Sequence, residues 1–275
     1  MEKKDKQPMV SVIMATYNDP VEYLSQAIDS ILTQTCDDLE LLIADDSTEA
    51  ATKSAIDDYA RKDARISIIR KEQRMGISGA RNEALLKAKG QLMALMDADD
   101  ISLPDRLEKQ VGYALQHEEI DLFGGHIYII DEKNERTSLR KYKTNNKSFR
   151  RMFVYRNPLA HPTIMFRRSI VDNGFLYDPT FKRAEDLEFY LRLFNHGYRL
   201  ANMDEFLLNY RIVGDLQEKR RQDNWKYNHQ ARLKNFNWHK PVFSILSLFS
   251  SCVYLFIPGR LKSFLYDREN HKNLS

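Results

Sequence analysis

Three carboxylates stand together where an apolar run stops. Leu92 to Met96 (LMALM) is long enough for a buried parallel strand and too short for a helix. It is followed at once by Asp97, Asp99 and Asp100. Crowded acids repel one another unless a cation lies between them. An all-oxygen cluster of this kind suits Mg²⁺ or Mn²⁺. Acids at this point could instead cap the next helix, but Ser102, Pro104 and Asp105 already form a capping-box-like start for Leu107, Val111 and Leu115. Capping therefore leaves Asp97 and Asp99 unexplained.

A second acidic group opens the stretch Phe181 to Gly197, where Glu185, Asp186 and Glu188 precede an apolar helical face of Leu187, Tyr190, Leu191 and Phe194. Acids at a helix N-terminus complement its dipole, which accounts for them without chemistry. Asp186 also shares an edge with Tyr190 and Leu193, at the border of the buried face. Spacing alone leaves both readings of Asp186 open. His161 lies in a proline-bearing turn (NPLAHP), where a lone histidine is ordinarily structural.

The elements that must position these acids alternate. Val10 to Ala15 (VSVIMA) reads as a strand ending in Thr16, Tyr17 and Asn18, with a helix capped by Asp19 behind it. Leu39 to Ala44 reads as the next strand, ending in Asp45 and Asp46, and Ile66 to Ile69 as a third. Gly76, Ser78 and Gly79 open a helix from Ala80 to Ala88, and the Leu92 strand is the fourth. This alternation predicts right-handed βαβ units, a mostly parallel sheet and a ligand crevice at the carboxyl ends of its strands. Beyond it, Ile120 to Phe123 and His126 to Ile130, split by Gly124-Gly125, read as added strands at the sheet edge. No G-x-G-x-x-G run follows the first strand and no Lys-Ser/Thr phosphate loop occurs, which disfavours a dehydrogenase or a P-loop enzyme.

The chain of 275 residues can bury a substantial core, and 43% hydrophobic with 29% charged residues is an ordinary globular balance. A net charge of +3 does not argue for nucleic acid, although the basic surplus gathers late in the chain. Two distant cysteines, Cys36 and Cys252, form neither a disulfide framework nor a zinc pattern and fit a reducing cytoplasm. The charged start MEKKDKQP leads into a strand rather than an apolar leader, so no signal peptide is expected.

Five stretches in order, VSVIMATYN, LLIADDST, GISGARNEAL, MDADD and AEDLEFYLRL, resemble the family 2 glycosyltransferases between about Val10 and Arg211. The resemblance implies a GT-A (Rossmann-like) α/β fold, a nucleotide-diphospho-sugar donor with UDP favoured, a divalent metal and inversion at the anomeric carbon. Carried over by position, it puts Ala15, Thr16, Tyr17 and Asp46 around the nucleobase and Arg81 at the base and diphosphate. It makes Asp97 and Asp99 the family's Asp-x-Asp pair, with Asp97 towards the ribose and Asp99 as the direct metal ligand, and makes Asp186 the general base. Glu185 and His161 fall on the acceptor side. Asp46 with Glu49 also reads as a capping box, and Arg81 as an exposed helix residue.

The expected organisation is a charged tail over 1–8 and a catalytic domain over 9–213, with nucleotide and acceptor halves meeting near residue 100. A basic helical extension over 214–275 follows. Within the extension, Val242 to Ile257 is strongly apolar and shorter than the roughly twenty residues of a membrane span. Ser244, Ser247 and Ser251 mark one face of it. Cations between Lys219 and Arg268 fit an interfacial helix on the inner face of the cell membrane. Packing on the catalytic domain and a homodimer fit equally well. The acceptor expected is a glycan or a lipid-linked oligosaccharide. A nucleotidyltransferase and a non-catalytic nucleotide-sugar-binding or protein-interaction module are the competing readings.

Overall fold

The structure is a computed structural model that describes residues 7–144, 146–214 and 216–256. Residues 1–6 of the expected tail, and Arg260, Lys262 and Arg268, lie outside the described residues, as do the side chains of Lys219, Arg220 and Arg221.

The first half alternates as expected: β1 (Val10–Thr16), α1 (Val21–Leu32), β2 (Leu39–Asp45), α2 (Ala50–Lys62), β3 (Ile66–Ile69), α3 (Gly76–Lys87) and β4 (Leu92–Asp97). The second half is more varied. It runs β5 (Ile101–Ser102), α4 (Arg106–Gln116), β6 (Leu122–Ile130), β7 (Arg136–Arg140), α5 (Asn146–Tyr155), β8 (Met165–Arg167), α6 (Ser169–Asp172), α7 (Glu185–Asn195), β9 (Leu200–Arg211), α8 (Leu216–Lys234) and α9 (Pro241–Phe256).

The strands form one sheet in the order β3-β2-β1-β4-β8-β6-β9-β5, with β7 on β6. Neighbours from β3 to β4 are parallel, as are β6 and β9, while β8 runs antiparallel to both β4 and β6. Successive strand residues alternate between two cores. Ile13, Leu42, Met93 and Leu95 pack with α3 and α7 on one face, and Val12, Met14, Leu41, Ala94 and Met96 with α1 and α4 on the other. A strand buried on both faces reads as a continuous apolar run, which is why β1, β2 and β4 were recognisable.

Three local expectations are corrected. Gly124-Gly125 does not split two edge strands, because β6 runs straight through them in the sheet interior, between β8 and β9. A Cβ at Gly125 would lie 2.6 Å from Leu207 Cδ1 and 2.8 Å from the Glu205 carbonyl, so the glycines admit the neighbouring strand. Ser102 does not cap α4: it pairs with Leu208 in β5, and the Leu107 amide at the helix start donates instead to Gln34 Oε1 at 2.9 Å. Asp19 turns back from α1, accepting the Thr16 hydroxyl at 2.7 Å and the Tyr17 amide at 3.2 Å.

Candidate active site

Parallel register brings three strand ends into one row. Ala15 lies beside Ala44 of β2 and Asp97 of β4, and Thr16 lies beside Asp45. The turns that follow are tied to each other rather than to their own helices. Asn18, in the left-handed region at φ 55, accepts the Thr48 and Glu49 amides at 2.8 and 3.0 Å and so fixes the turn that leads into α2. Asp46 accepts the Met75 and Gly76 amides at 3.0 and 2.7 Å, which holds the start of α3 against β2 and replaces the expected local box with Glu49. Tyr17 is exposed at the mouth of the cleft, its ring 3.7 Å from the Arg74 guanidinium.

Arg81 joins the two acidic groups. It rises from α3 with only 6% exposure, so it is not the surface residue that helical position alone allows. One terminal nitrogen donates to Glu185 Oε1 at 2.9 Å and the other to Asp97 Oδ1 at 3.1 Å. Residues distant in sequence therefore share one guanidinium, whose fork suits two carboxylates. Those carboxylates and Tyr177 hold its pKa above the usual arginine value despite burial. Tyr177 lies buried with its ring 5.7 Å from the guanidinium, and its hydroxyl is 3.1 Å from His161 Nε2. Burial and Arg81 keep His161 well below its usual pKa, and hence neutral.

Asp186 sits one residue into α7. Ala184, which precedes the helix, has φ 57 and ψ 23, a left-handed conformation that costs a non-glycine residue about 1 kcal/mol. Asp186 Oδ1 accepts the Leu187 amide at 2.7 Å, and Oδ2 accepts the Asn157 side-chain amide at 2.6 Å. Burial, with help from Glu185, pushes its pKa up to about 7, against the pull of the Leu187 amide and Arg81. Glu188 has no such role, being fully buried and paired with Arg192.

The profile of "Glycosyl transferase family 2" matches residues 11–175. An uncharacterised glycosyltransferase of Methanocaldococcus jannaschii is 35% identical over 96% of this chain and 95% of its own length. The O-antigen biosynthesis glycosyltransferase WbnJ of Escherichia coli is 38% identical over 77% of this chain and 82% of its own. The chain is a family 2 glycosyltransferase. Its fold is GT-A: S. aureus TarS 1-349 in complex with UDP superposes with a TM-score of 0.66 at 20% identity, over 93% of this chain and 74% of that one. The mannosyltransferase PcManGT of Pyrobaculum calidifontis, in complex with GDP-Man and Mn²⁺, superposes with a TM-score of 0.67 at 17% identity, over 94% and 72%. Against the longer TarS chain, the transferase spans 45% of its length.

In the transferase, the loop after β4 is gripped from β9. Arg211 donates its Nε to the Asp99 carbonyl at 2.7 Å and a terminal nitrogen to Gln26 Oε1 at 2.7 Å, and its backbone amide donates to Asp100 Oδ1 at 2.8 Å. Asp100 is fully buried, and its Oδ2 has no partner among the described residues. Burial, with repulsion from Asp99 and Asp97, pushes its pKa well up. Arg106 lies beneath, fully buried, donating to the Leu95 carbonyl at 2.7 Å.

Among the described residues no group of three or more His, Cys, Asp or Glu is placed to hold a metal ion. Asp97 and Asp99 offer two carboxylates and no softer donor. That set fits a Mg²⁺-like ion, which one or two carboxylates hold together with substrate phosphates. Asn157, Tyr177, Arg74 and Arg211 were not singled out from the sequence as site residues. Asn157 lies in the quoted turn NPLAHP, but nothing in its spacing points to a carboxylate 29 residues away.

Proposed function

We propose that the transferase moves one sugar from a nucleotide-diphospho-sugar, a UDP-sugar in this reading, to a hydroxyl of a glycan or lipid-linked acceptor, inverting the anomeric carbon. The observation that carries this is the Arg81 bridge between Asp97 at the end of β4 and Glu185 beside Asp186. In this reading Asp97 faces the diphosphate, and Glu185 and Asp186 face the acceptor across the Arg81 guanidinium. Ala15, Thr16, Tyr17 and Asp46 line the nucleobase end in this reading, and His161 stays behind Arg81 as a neutral spacer.

The chemistry follows from the groups. An acceptor hydroxyl is a weak nucleophile, and a carboxylate that takes its proton as the bond forms accelerates attack by roughly 10² to 10⁴. Asp186, poised near pH 7, is matched to that task. Asn157 and the Leu187 amide fix the orientation of its carboxylate. Asp97 and Asp99 would hold Mn²⁺ or Mg²⁺, which supplies positive charge where the departing diphosphate becomes more negative. Arg81 adds a fixed cation to the same region. The free cysteines Cys36 and Cys252 accord with work in a reducing cytoplasm.

Relatives support the pathway class. They include the O-antigen enzyme WbnJ, the amylovoran biosynthesis glycosyltransferase AmsE of Erwinia amylovora and the putative teichuronic acid biosynthesis glycosyltransferase TuaG of Bacillus subtilis. A surface polysaccharide or glycoconjugate is the product we infer. The test is a thermal-shift screen against UDP, GDP, dTDP and CMP with and without Mn²⁺, followed by donor turnover in Asp186→Asn. The expected result is a metal-dependent shift with one nucleotide and loss of transfer with retained nucleotide binding in the variant. A folded protein that none of the four shifts belongs instead to the protein-interaction form of the non-catalytic reading.

A further inference from the structure

Helix α9 packs Phe243 against the core, 5.6 Å from the Phe194 ring, but most of its apolar side chains face away from the protein. Its buried face is the serine face: Ser244, Ser247 and Ser251 are 5%, 3% and 2% exposed. Each makes a polar contact with the protein. Ser244 Oγ accepts the Asn237 amide at 3.0 Å, Ser247 Oγ accepts from Arg232 at 2.6 Å, and Ser251 Oγ lies 2.8 Å from His229 Nδ1. The opposite face is apolar and exposed, with Val242 at 70%, Phe249 at 67%, Ile245 at 57%, Leu246 at 50% and Val253 at 43%. Trp238, 81% exposed, stands just before the helix. Turning the helix over would take Ser247 away from buried Arg232 and leave it the Phe153 carbonyl alone, and its Nε and other terminal nitrogen already lack a partner among the described residues.

A patch of this kind needs an occupant, and charge selects it. From Asn224 to Tyr266 the sequence holds no Asp or Glu, and of its Lys and Arg residues Lys226 and Lys240 are exposed, while Arg232 is buried against Ser247, Lys234 pairs with Asp178, and Arg260 and Lys262 lie outside the described residues. Lys240, exposed, begins the helix beside Trp238. Two copies meeting through this face about a two-fold axis would oppose like charges, whereas an anionic lipid surface neutralises them. At 16 residues α9 is about 24 Å long, short of the roughly 30 Å hydrocarbon core, and no described helix is long and apolar enough to cross a membrane. Aliphatic and aromatic side chains on one face, with Trp and Lys at the end, suit a helix lying in the headgroup region.

We propose that the outward face of α9, through Val242, Ile245, Leu246, Phe249 and Val253 with Trp238 and Lys240 at its rim, docks the transferase on an anionic phospholipid bilayer. The same assembly reaches the catalytic helix. Asn195 at the end of α7 donates to the Asn235 carbonyl at 2.8 Å, Asn235 contacts Glu188 at 3.5 Å, and Lys234 pairs with Asp178, next to Tyr177. Docking through α9 therefore fixes the orientation of α7, and of Asp186, to the lipid plane.

The test is sedimentation of the full chain with vesicles of phosphatidylglycerol and phosphatidylcholine, and with phosphatidylcholine alone, at low and high salt. The wild type should pellet with the anionic vesicles, less so at high salt. Ile245→Glu with Phe249→Glu should lower the bound fraction at least tenfold, with an unchanged melting temperature and nucleotide-induced shift. Lys240→Glu should weaken binding only to the anionic vesicles. The proposal is overturned if the wild type stays in solution, if the double variant pellets as well as the wild type, or if the wild type is a dimer that the double variant splits and neither binds vesicles. None of these outcomes depends on sugar transfer, so the proposed function stands or falls separately.

Discussion

The side-chain amide of Asn157 lies 2.6 Å from Asp186 Oδ2, a hydrogen bond between a turn that precedes β8 and the first turn of α7. The amide favours the ionised carboxylate, while burial and Glu185 favour the protonated one. Arg81 from α3 pulls the same way as Asn157, and the Tyr177 and Tyr190 hydroxyls bring no charge near neutrality. Asn157→Ala should therefore raise the Asp186 pKa. A hydrogen bond to a charged group is worth about 1.5 kcal/mol or more, so the acid limb of kcat/KM should move up by roughly one pH unit. Turnover at pH 9 should recover much of the wild-type rate. An unmoved limb with a uniformly lower rate would reduce Asn157 to a packing residue.

The raised pKa of Asp186 also predicts a stability effect. Its ordinary value is 3.8 and its folded value about 7, so folding takes up a proton between those limits. Native stability then falls as pH rises through that window and stays lower above it. Asp186→Asn removes the charge, and it should raise the melting temperature at pH 8 by an amount worth about 1 kcal/mol while leaving it nearly unchanged at pH 4. Melting curves at the two pH values check this.

Arg81 predicts a loss of stability where Asp186 predicts a gain. Removing a buried cation leaves Asp97 and Glu185 without their shared partner, a loss of about 3 kcal/mol. Arg81→Met should lose about that much stability, because the two carboxylates then lie close together with no cation between them. Urea unfolding at pH 7 tests it. Arg81→Lys should fall between, because an ammonium cannot present the two-armed fork.

Strands β1, β2 and β4 were legible because a strand buried on both faces is apolar throughout, and the acids that end β2 and β4 stood out because ligands collect at the carboxyl ends of such sheets. The helix starts were misread where the cap comes from afar. Gln34, Asn18 and Asp46 satisfy amides about 30 to 70 residues away, and no local pattern records that. Gly124-Gly125 looked like punctuation because the close approach of β9 is a tertiary fact. The serine stripe of α9 was visible at helical spacing. That it faces inward depends on Arg232 and His229, which spacing within the helix cannot reveal.

If Asp97 and Asp99 hold the metal, chelation should abolish transfer and Mn²⁺ restore it. Asp99→Asn should raise the Mn²⁺ concentration needed for half-maximal rate by roughly tenfold or more, without moving the pH limb assigned to Asp186. A rate that chelator leaves intact would remove the metal from the mechanism while leaving the base assignment in place.

Arg211 extends that prediction to a residue that need not touch substrate. Its guanidinium grips the Asp99 carbonyl and Gln26 and lies 4.1 Å from the Tyr23 ring, so it connects the acidic loop to α1 and β9. Arg211→Met keeps much of the apolar volume and the backbone bond to Asp100, but releases that carbonyl. Outer supports of metal ligands typically contribute 10- to 100-fold in metal affinity or activity. Arg211→Met should therefore raise the Mn²⁺ concentration needed for half-maximal rate by roughly that factor while the Asp186 limb stays where it is. Saturating Mn²⁺ should recover most of the rate. If instead only the melting temperature falls and the Mn²⁺ titration is unchanged, Arg211 stabilises the fold without setting the acidic loop.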